Sequence, residues 1–222
     1  TGEDGILNPL KLLRALHQAM LSDGVHYLAE HRVADIEHAH GVFQLKTPHG
    51  TVRARQIVLA SGLGNQALGE KVGIHVSVKP QRGQILVLER TRRMLPLPFV
   101  TLRQTDEGTW LVGDSQEDAG YADDVVTLPV LATLADRAVR TLPALRDVRV
   151  VRSWSALRVK AADGFPVYEA SQTHPGAFLA TCHSGVTLGA AHALRLAPMI
   201  AQGSLHADLA PFSARRFDVQ KA

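Results

Sequence analysis

The sequence predicts a mixed fold, α/β joined to α+β, on three observations. Gln56-Ile57-Val58-Leu59-Ala60 is a largely apolar run that stops at Ser61-Gly62, the pattern of a strand buried on both faces of a parallel sheet. Val76 to Glu89 alternates around Pro80-Gln81-Arg82-Gly83-Gln84, and with Phe99 to Leu102 and Thr109 to Val112 it predicts a separate antiparallel sheet. Ala177 to Thr181 is a short β run that passes through a small-residue turn into an Ala-rich helix, Thr187 to Gln202, stopped at Gly203.

The remaining elements follow in order. Leu10, Leu13, Leu16, His17, Met20 and Leu21 recur at helical spacing, with Asn8 suited to cap and Pro9 to the first turn. That helix ends near Asp23-Gly24. Short β runs follow at Val25 to Leu28, Val33 to Ile36 and Val42 to Leu45, then a turn at Thr47-Pro48-His49-Gly50 and a strand through Val52. In the second half, Val130 to Leu142 is helical and Val148 to Val159 is a long β run. Neither an internal repeat nor a low-complexity segment is present.

Composition bounds the function. The 222 residues are 45% apolar and 20% charged, enough for a real core in one large or two small domains. Lys and Arg number 24 against 21 Asp and Glu, and the densest basic run is only Arg90, Arg92 and Arg93, so no stripe tracks nucleic-acid phosphates. The single cysteine, Cys182, excludes an internal disulfide and fits a reducing, cytoplasmic compartment. No stretch approaches the ~20 apolar residues of a membrane span. The opening Thr1-Gly2-Glu3-Asp4-Gly5 carries neither an initiator Met nor a signal-peptide layout, and the expectation is that a segment lies upstream.

Three segments bear chemistry. In Val151-Arg152-Ser153-Trp154-Ser155-Ala156-Leu157-Arg158, followed by Ala162-Asp163-Gly164-Phe165-Pro166, an arginine on a strand with Trp154 and Leu157 can offer a bidentate fork to a carboxylate in an apolar pocket. Taken alone, an arginine near a strand end is more often solvated or paired locally. Phe178 to Leu188 runs from strand through turn to helix, and free N–H groups at such a helix start attract partial negative charge. The bland reading there is a simple cap, with Cys182 a small buried residue rather than a nucleophile. In Pro80 to Gln84, Gly83 inside a β run signals a bulge or the close approach of another group. Arg82 beside it is expected to be solvated.

Other chemistries are disfavoured. The His183-Ser184 turn lacks the G-x-S-x-G arrangement of a serine hydrolase. His38 and His40 would share one strand face, yet no third ligand sits at a convincing spacing. They are expected to be solvated strand residues.

In this order the segments resemble the D-amino-acid oxidase superfamily of FAD-dependent oxidoreductases, which includes glycine oxidase, sarcosine oxidase and D-amino-acid dehydrogenase. The resemblance is carried by Gly5-Ile6-Leu7-Asn8-Pro9, Val33, Ile57 to Gly62, Pro80 to Gln84, Trp154 to Arg158, Asp163 to Pro166, His183 to Leu188 and Arg216-Phe217. The wording of Trp-Ser-Ala-Leu-Arg-Val and Cys-His-Ser-Gly-Val-Thr-Leu is most similar to the hetero-oligomeric branch, the hydrogen cyanide synthase and opine oxidase flavin subunits. The fold it implies is a partial FAD-binding Rossmann-like domain with an inserted mixed or antiparallel β-sheet substrate domain. Residues 1–75 and 164–222 would belong to the first and 76–163 to the second.

The same resemblance implies FAD as cofactor, a small amino-acid or amine substrate, and a partner subunit. The reaction would be oxidation of a C–N bond by hydride transfer to flavin N5, giving an imine that water hydrolyses. Arg158 would bind the substrate carboxylate, Val33 would contact the adenine part of FAD through its backbone, and Gly62 would line the cofactor. Gly185, Val186, Thr187 and Leu188 would present backbone groups to the isoalloxazine ring. No catalytic residue and no metal ligand are implied.

Thr187 and Cys182 stand where many relatives have glycine. The family's opening G-x-G-x-x-G turn is absent, since Gly62-Leu63-Gly64 has Ala67 in the third place and comes too late. The chain as given is therefore expected to be inactive alone. The alternative is a non-catalytic subunit or degenerate binding module that keeps the substrate sheet without flavin.

Overall fold

The computed structural model describes residues 5–218. Helix α1 spans Pro9–Ser22, and Asn8 caps it as its side chain anticipates, accepting hydrogen bonds from the Leu10 and Lys11 amides. Strands β1 (Asp35–Ala39), β2 (Val42–Thr47) and β3 (Gly50–Ala54) form an antiparallel meander. The run Val25 to Leu28 is not a strand. Val33 lies in extended chain just before β1, where the adjacent Ala34 amide already bonds to Lys46.

The apolar run becomes β4 (Ile57–Leu59), with Ile57 and Leu59 buried and Val58 46% exposed. A 3-10 turn at Gly62–Gly64 and a short helix α2 (Asn65–Glu70) follow it. The long strand β5 (Val78–Leu88) opens a separate five-stranded sheet, joined by β6 (Leu102–Gln104), β7 (Trp110–Val112), β8 (Glu117–Asp118) and β9 (Val150–Ala161). Helix α3 (Leu128–Thr141) lies between β8 and β9 in the chain. Strand β10 (Val167–Ala170) pairs antiparallel with β11 (Ala177–Thr181), which pairs parallel with β4.

The helix expected over Thr187 to Gln202 is segmented. It has an α turn α4 at Gly189–Ala191, a π segment at His192–Leu196 and a helix α5 at Ala197–Ala201. Pro198 supplies the reason: it has no amide to give to a carbonyl four residues back, so the ladder widens ahead of it. Gly203 ends the run at φ +85°, as a left-handed stop.

The chain divides into two compact units. One holds α1 and Pro80–Arg158, the other His26–Lys79 and the chain from Val159 onward. The divisions therefore fall at 79/80 and 158/159, inside β5 and β9, rather than at 75/76 and 163/164. Residues of α1, expected with 26–75, group with the other unit, where Lys11 pairs with Asp106 and Glu107 at 3.2 Å each. The first unit is built on Leu86, Leu102, Trp110, Val112 and Leu134. The second is built on Phe43, Ile57, Leu59, Val72, Val167 and Leu179. Each such side chain contributes about 1.5–3 kcal/mol when fully buried.

Candidate functional site

In the unit built around β5, the alternation of the strand decides what each residue faces. Gln84 is fully buried; its amide nitrogen donates to Glu117 and to Thr127 Oγ1 at 3.0 Å, and its amide oxygen accepts from the Thr127 amide at 2.8 Å. Arg82 is not solvated. Its guanidinium is only 12% exposed, with Nη2 2.8 Å from Glu117 and Nη1 2.5 Å from Asp123. Burial works to raise the Glu117 pKa, but hydrogen bonds from Arg82, Gln84 and Ser115 outweigh it and hold the carboxyl below its ordinary value.

Gly83 is the point of close approach that its place in a β run signals. A Cβ there would overlap the Nη1, Cζ and Nη2 atoms of Arg158, so the guanidinium lies directly over the glycine. Arg158 Nη1 donates to the Ser115 carbonyl at 2.8 Å, and Nη2 pairs with the Asp114 carboxylate. The Arg158 side chain remains 27% exposed, held but reachable. This is a positioned cation rather than a waving surface arginine.

The second unit carries an apolar cavity of about 560 Å3, lined by Val58, Ala60, Gly62, Cys182, Gly185 and His192 among others. It gathers at the C-terminal ends of the parallel strands β4 and β11, where open α/β sheets bind ligands. Gly62 starts the turn after β4 at φ +61°, a conformation that suits glycine, and a Cβ there would press on Val159 Cγ2 at 3.1 Å. Val33 packs half-buried against the core of the unit and does not line the cavity. Of the turn residues after β11, Gly185 lines the cavity, while Val186 and Thr187 are exposed. The Leu188 amide is already bonded to the Ser184 carbonyl at 3.0 Å, so its N–H is not available to a ligand. Its side chain lines a second apolar cavity of about 350 Å3.

His192, in the π segment, borders both cavities and lies 2.7 Å from the Tyr168 hydroxyl. Burial lowers the His192 pKa and, with Cys182 nearby, raises that of Tyr168, so the pair is neutral at pH 7. Nothing in the spacing of the sequence marked this pair, because Tyr168 and His192 meet only through β10 and the widened helical turn. Burial also pushes the Cys182 thiol up, against a hydrogen bond from Ser184, which keeps it protonated and poorly nucleophilic. His40 is not on a strand face: it stands in the β1–β2 turn at φ +52°. His38 stacks on Phe43 with ring centroids 4.2 Å apart rather than extending into solvent. No metal-binding cluster occurs among the described residues.

A family model described as FAD dependent oxidoreductase matches residues 1–199. One of the subunits of the opine oxidase of Rhizobium meliloti is 48% identical over 99% of this chain, which covers 59% of that protein. Hydrogen cyanide synthase subunit HcnC of Pseudomonas aeruginosa is 30% identical over 99% of this chain and 54% of its own length. The crystal structure of glycine oxidase from Geobacillus kaustophilus superposes with a TM-score of 0.80 at 27% identity, over 91% of this chain and 56% of that one. The chain thus spans little more than half the length of each of these three proteins.

Proposed function

The chain belongs to the family of FAD-dependent oxidoreductases, and from that premise we propose that it provides the carboxylate anchor and part of the flavin site of an enzyme oxidising the C–N bond of an amino acid or amine. The observation that carries this reading is Arg158, a partly exposed guanidinium laid over Gly83. Its planar fork fixes the direction of a carboxylate, and so the orientation of the carbon that carries the nitrogen.

The residues of the second unit fit a flavin. The cavity at the ends of β4 and β11 is apolar and of ring size, and Gly62 lines it in a left-handed turn that packs closely against Val159. When bound, FAD supplies the two-electron sink, taking a hydride at N5. The chain's own part is to hold and to exclude water. Val58 and Ala60 wall the cavity, the amides of Gly185, Val186 and Thr187 offer donors to the ring's polar edge, and the Val33 backbone meets the adenine part. Leu188 packs beside this site, its side chain on the second apolar cavity. We further propose a partner subunit, since the relatives at 48% and 30% identity are themselves subunits, and a cytoplasmic location, which the lone free Cys182 supports.

The test is Arg158→Ala in the flavin-loaded enzyme. Loss of a charge-assisted fork should raise KM for carboxylate substrates roughly 10- to 100-fold with flavin content unchanged. Unaltered kinetics would remove Arg158 from the site.

A further inference from the structure

Arg158 already has a carboxylate. Asp114 Oδ1 pairs with Nη2, while Oδ2 accepts from the Gln116 side chain at 3.0 Å and the Asp114 carbonyl accepts from Arg137 Nη1 at 3.1 Å. Held on three sides, Asp114 is a fixed counter-ion and not a passing surface contact. The other acidic groups at hand, Glu117 and Asp123, are taken by Arg82. The charge that Arg158 meets is therefore that of Asp114. Among five guanidinium donors, Nη1 serves Ser115 and Nη2 serves Asp114, and the side chain stays 27% exposed.

We propose that Asp114 is a positioning residue that sets carboxylate affinity, a resident carboxylate that shares Arg158 with the substrate carboxylate and weakens the grip on it. This rests on the reading of Arg158 as the carboxylate anchor. An incoming carboxylate must either displace Asp114 from Nη2 or bind beside it. In either case it meets a negative charge on the same guanidinium, which costs affinity. Simple carboxylates are held loosely in consequence, and a substrate has to add contacts of its own elsewhere to compete.

The test compares Asp114→Asn with the unaltered holoenzyme, using propionate as the probe in calorimetric titration and as a competitive inhibitor. Asparagine keeps the shape and an oxygen for Nη2 but removes the charge, so propionate should bind about tenfold more tightly and KM for carboxylate substrates should fall in parallel. A purely structural role for Asp114 predicts the opposite sign, weaker binding as Arg158 loosens. Unchanged or weakened propionate binding in Asp114→Asn would overturn the proposal, provided Arg158→Ala abolishes binding. If Arg158→Ala leaves propionate binding intact, the anchor reading itself fails, and Asp114 loses its role with it. Asp114→Glu serves as the folding control: with the charge kept, it should show no tightening, and tightening there would also overturn the proposal.

Discussion

Gly83 and Gly69 show how one absent methyl group can serve two different ends. At Gly83 the atoms in the way of a Cβ are the far end of the Arg158 side chain, which can move only by leaving Ser115 and Asp114. Gly83→Ala is therefore expected to cost about 1–3 kcal/mol, the range for a lost charge-assisted hydrogen bond, while displacing the anchor and raising KM for carboxylates. A loss of stability with unaltered KM would contradict that. At Gly69 a Cβ would sit 2.5 Å from the Ile74 carbonyl oxygen, and backbone cannot yield so easily. Gly69→Ala should cost about 1–3 kcal/mol, the range for overpacking, measurable by denaturant unfolding. The sequence marked Gly83 as a place of close approach but could not name Arg158, which comes 75 residues later. The solvated reading of Arg82 failed for the same reason, since Glu117 and Asp123 reach it from β8 and the loop beyond.

Among the elements, those with a strong period were legible and those fixed by distant partners were not. Helix α1 and strand β11 lie where spacing put them, whereas α2, β8 and β10 span only 6, 2 and 4 residues, too few to show a period. Two motifs that looked separate in the sequence are one device in the fold. Arg216 grips Asp163 with Nε at 2.7 Å and Nη2 at 3.0 Å, and its guanidinium rests 4.2 Å from the centre of the Phe217 ring. The end of the described chain is thus tied to the turn between β9 and β10. Arg216 holds the Asp163 carboxyl below its ordinary 3.8, with burial opposing. A depressed carboxylate stabilises the fold above its unfolded pKa, and that contribution is lost as pH falls through the folded value. Asp163→Asn should therefore melt lower than the parent at neutral pH, with the gap closing as pH drops below 3.8. A gap independent of pH would assign the loss to packing instead of charge.

At the scale of the whole molecule, the sequence showed a cofactor-type fold and an inserted sheet, and the structure adds how unevenly the flavin groups are provided. On the proposed reading, the apolar cavity at the ends of β4 and β11 would supply the ring contacts. The turn after β4, where Gly62-Leu63-Gly64 has the look of a dinucleotide loop, gives two of its amides to internal acceptors, Gly64 to the Ser61 carbonyl among them. There the Ser61 amide is given to the Asn65 side chain at 2.8 Å, and Asn65, fully buried, donates on to the Ala180 carbonyl at 3.2 Å. Asn65 thus ties α2 to β11 and braces the turn. The 222-residue chain taken by itself should then favour FAD over riboflavin only by what the proposed Val33 backbone contact to the adenine part contributes, less than about tenfold, because the two share the isoalloxazine ring. Quenching of flavin fluorescence on titration with the chain would measure both affinities. A tenfold or greater preference for FAD, about 1.4 kcal/mol, would place phosphate or adenine contacts within these residues. The backbone at Val33 is then the first place to look, and comparison of FAD with FMN would separate an adenine contact there from a phosphate contact elsewhere.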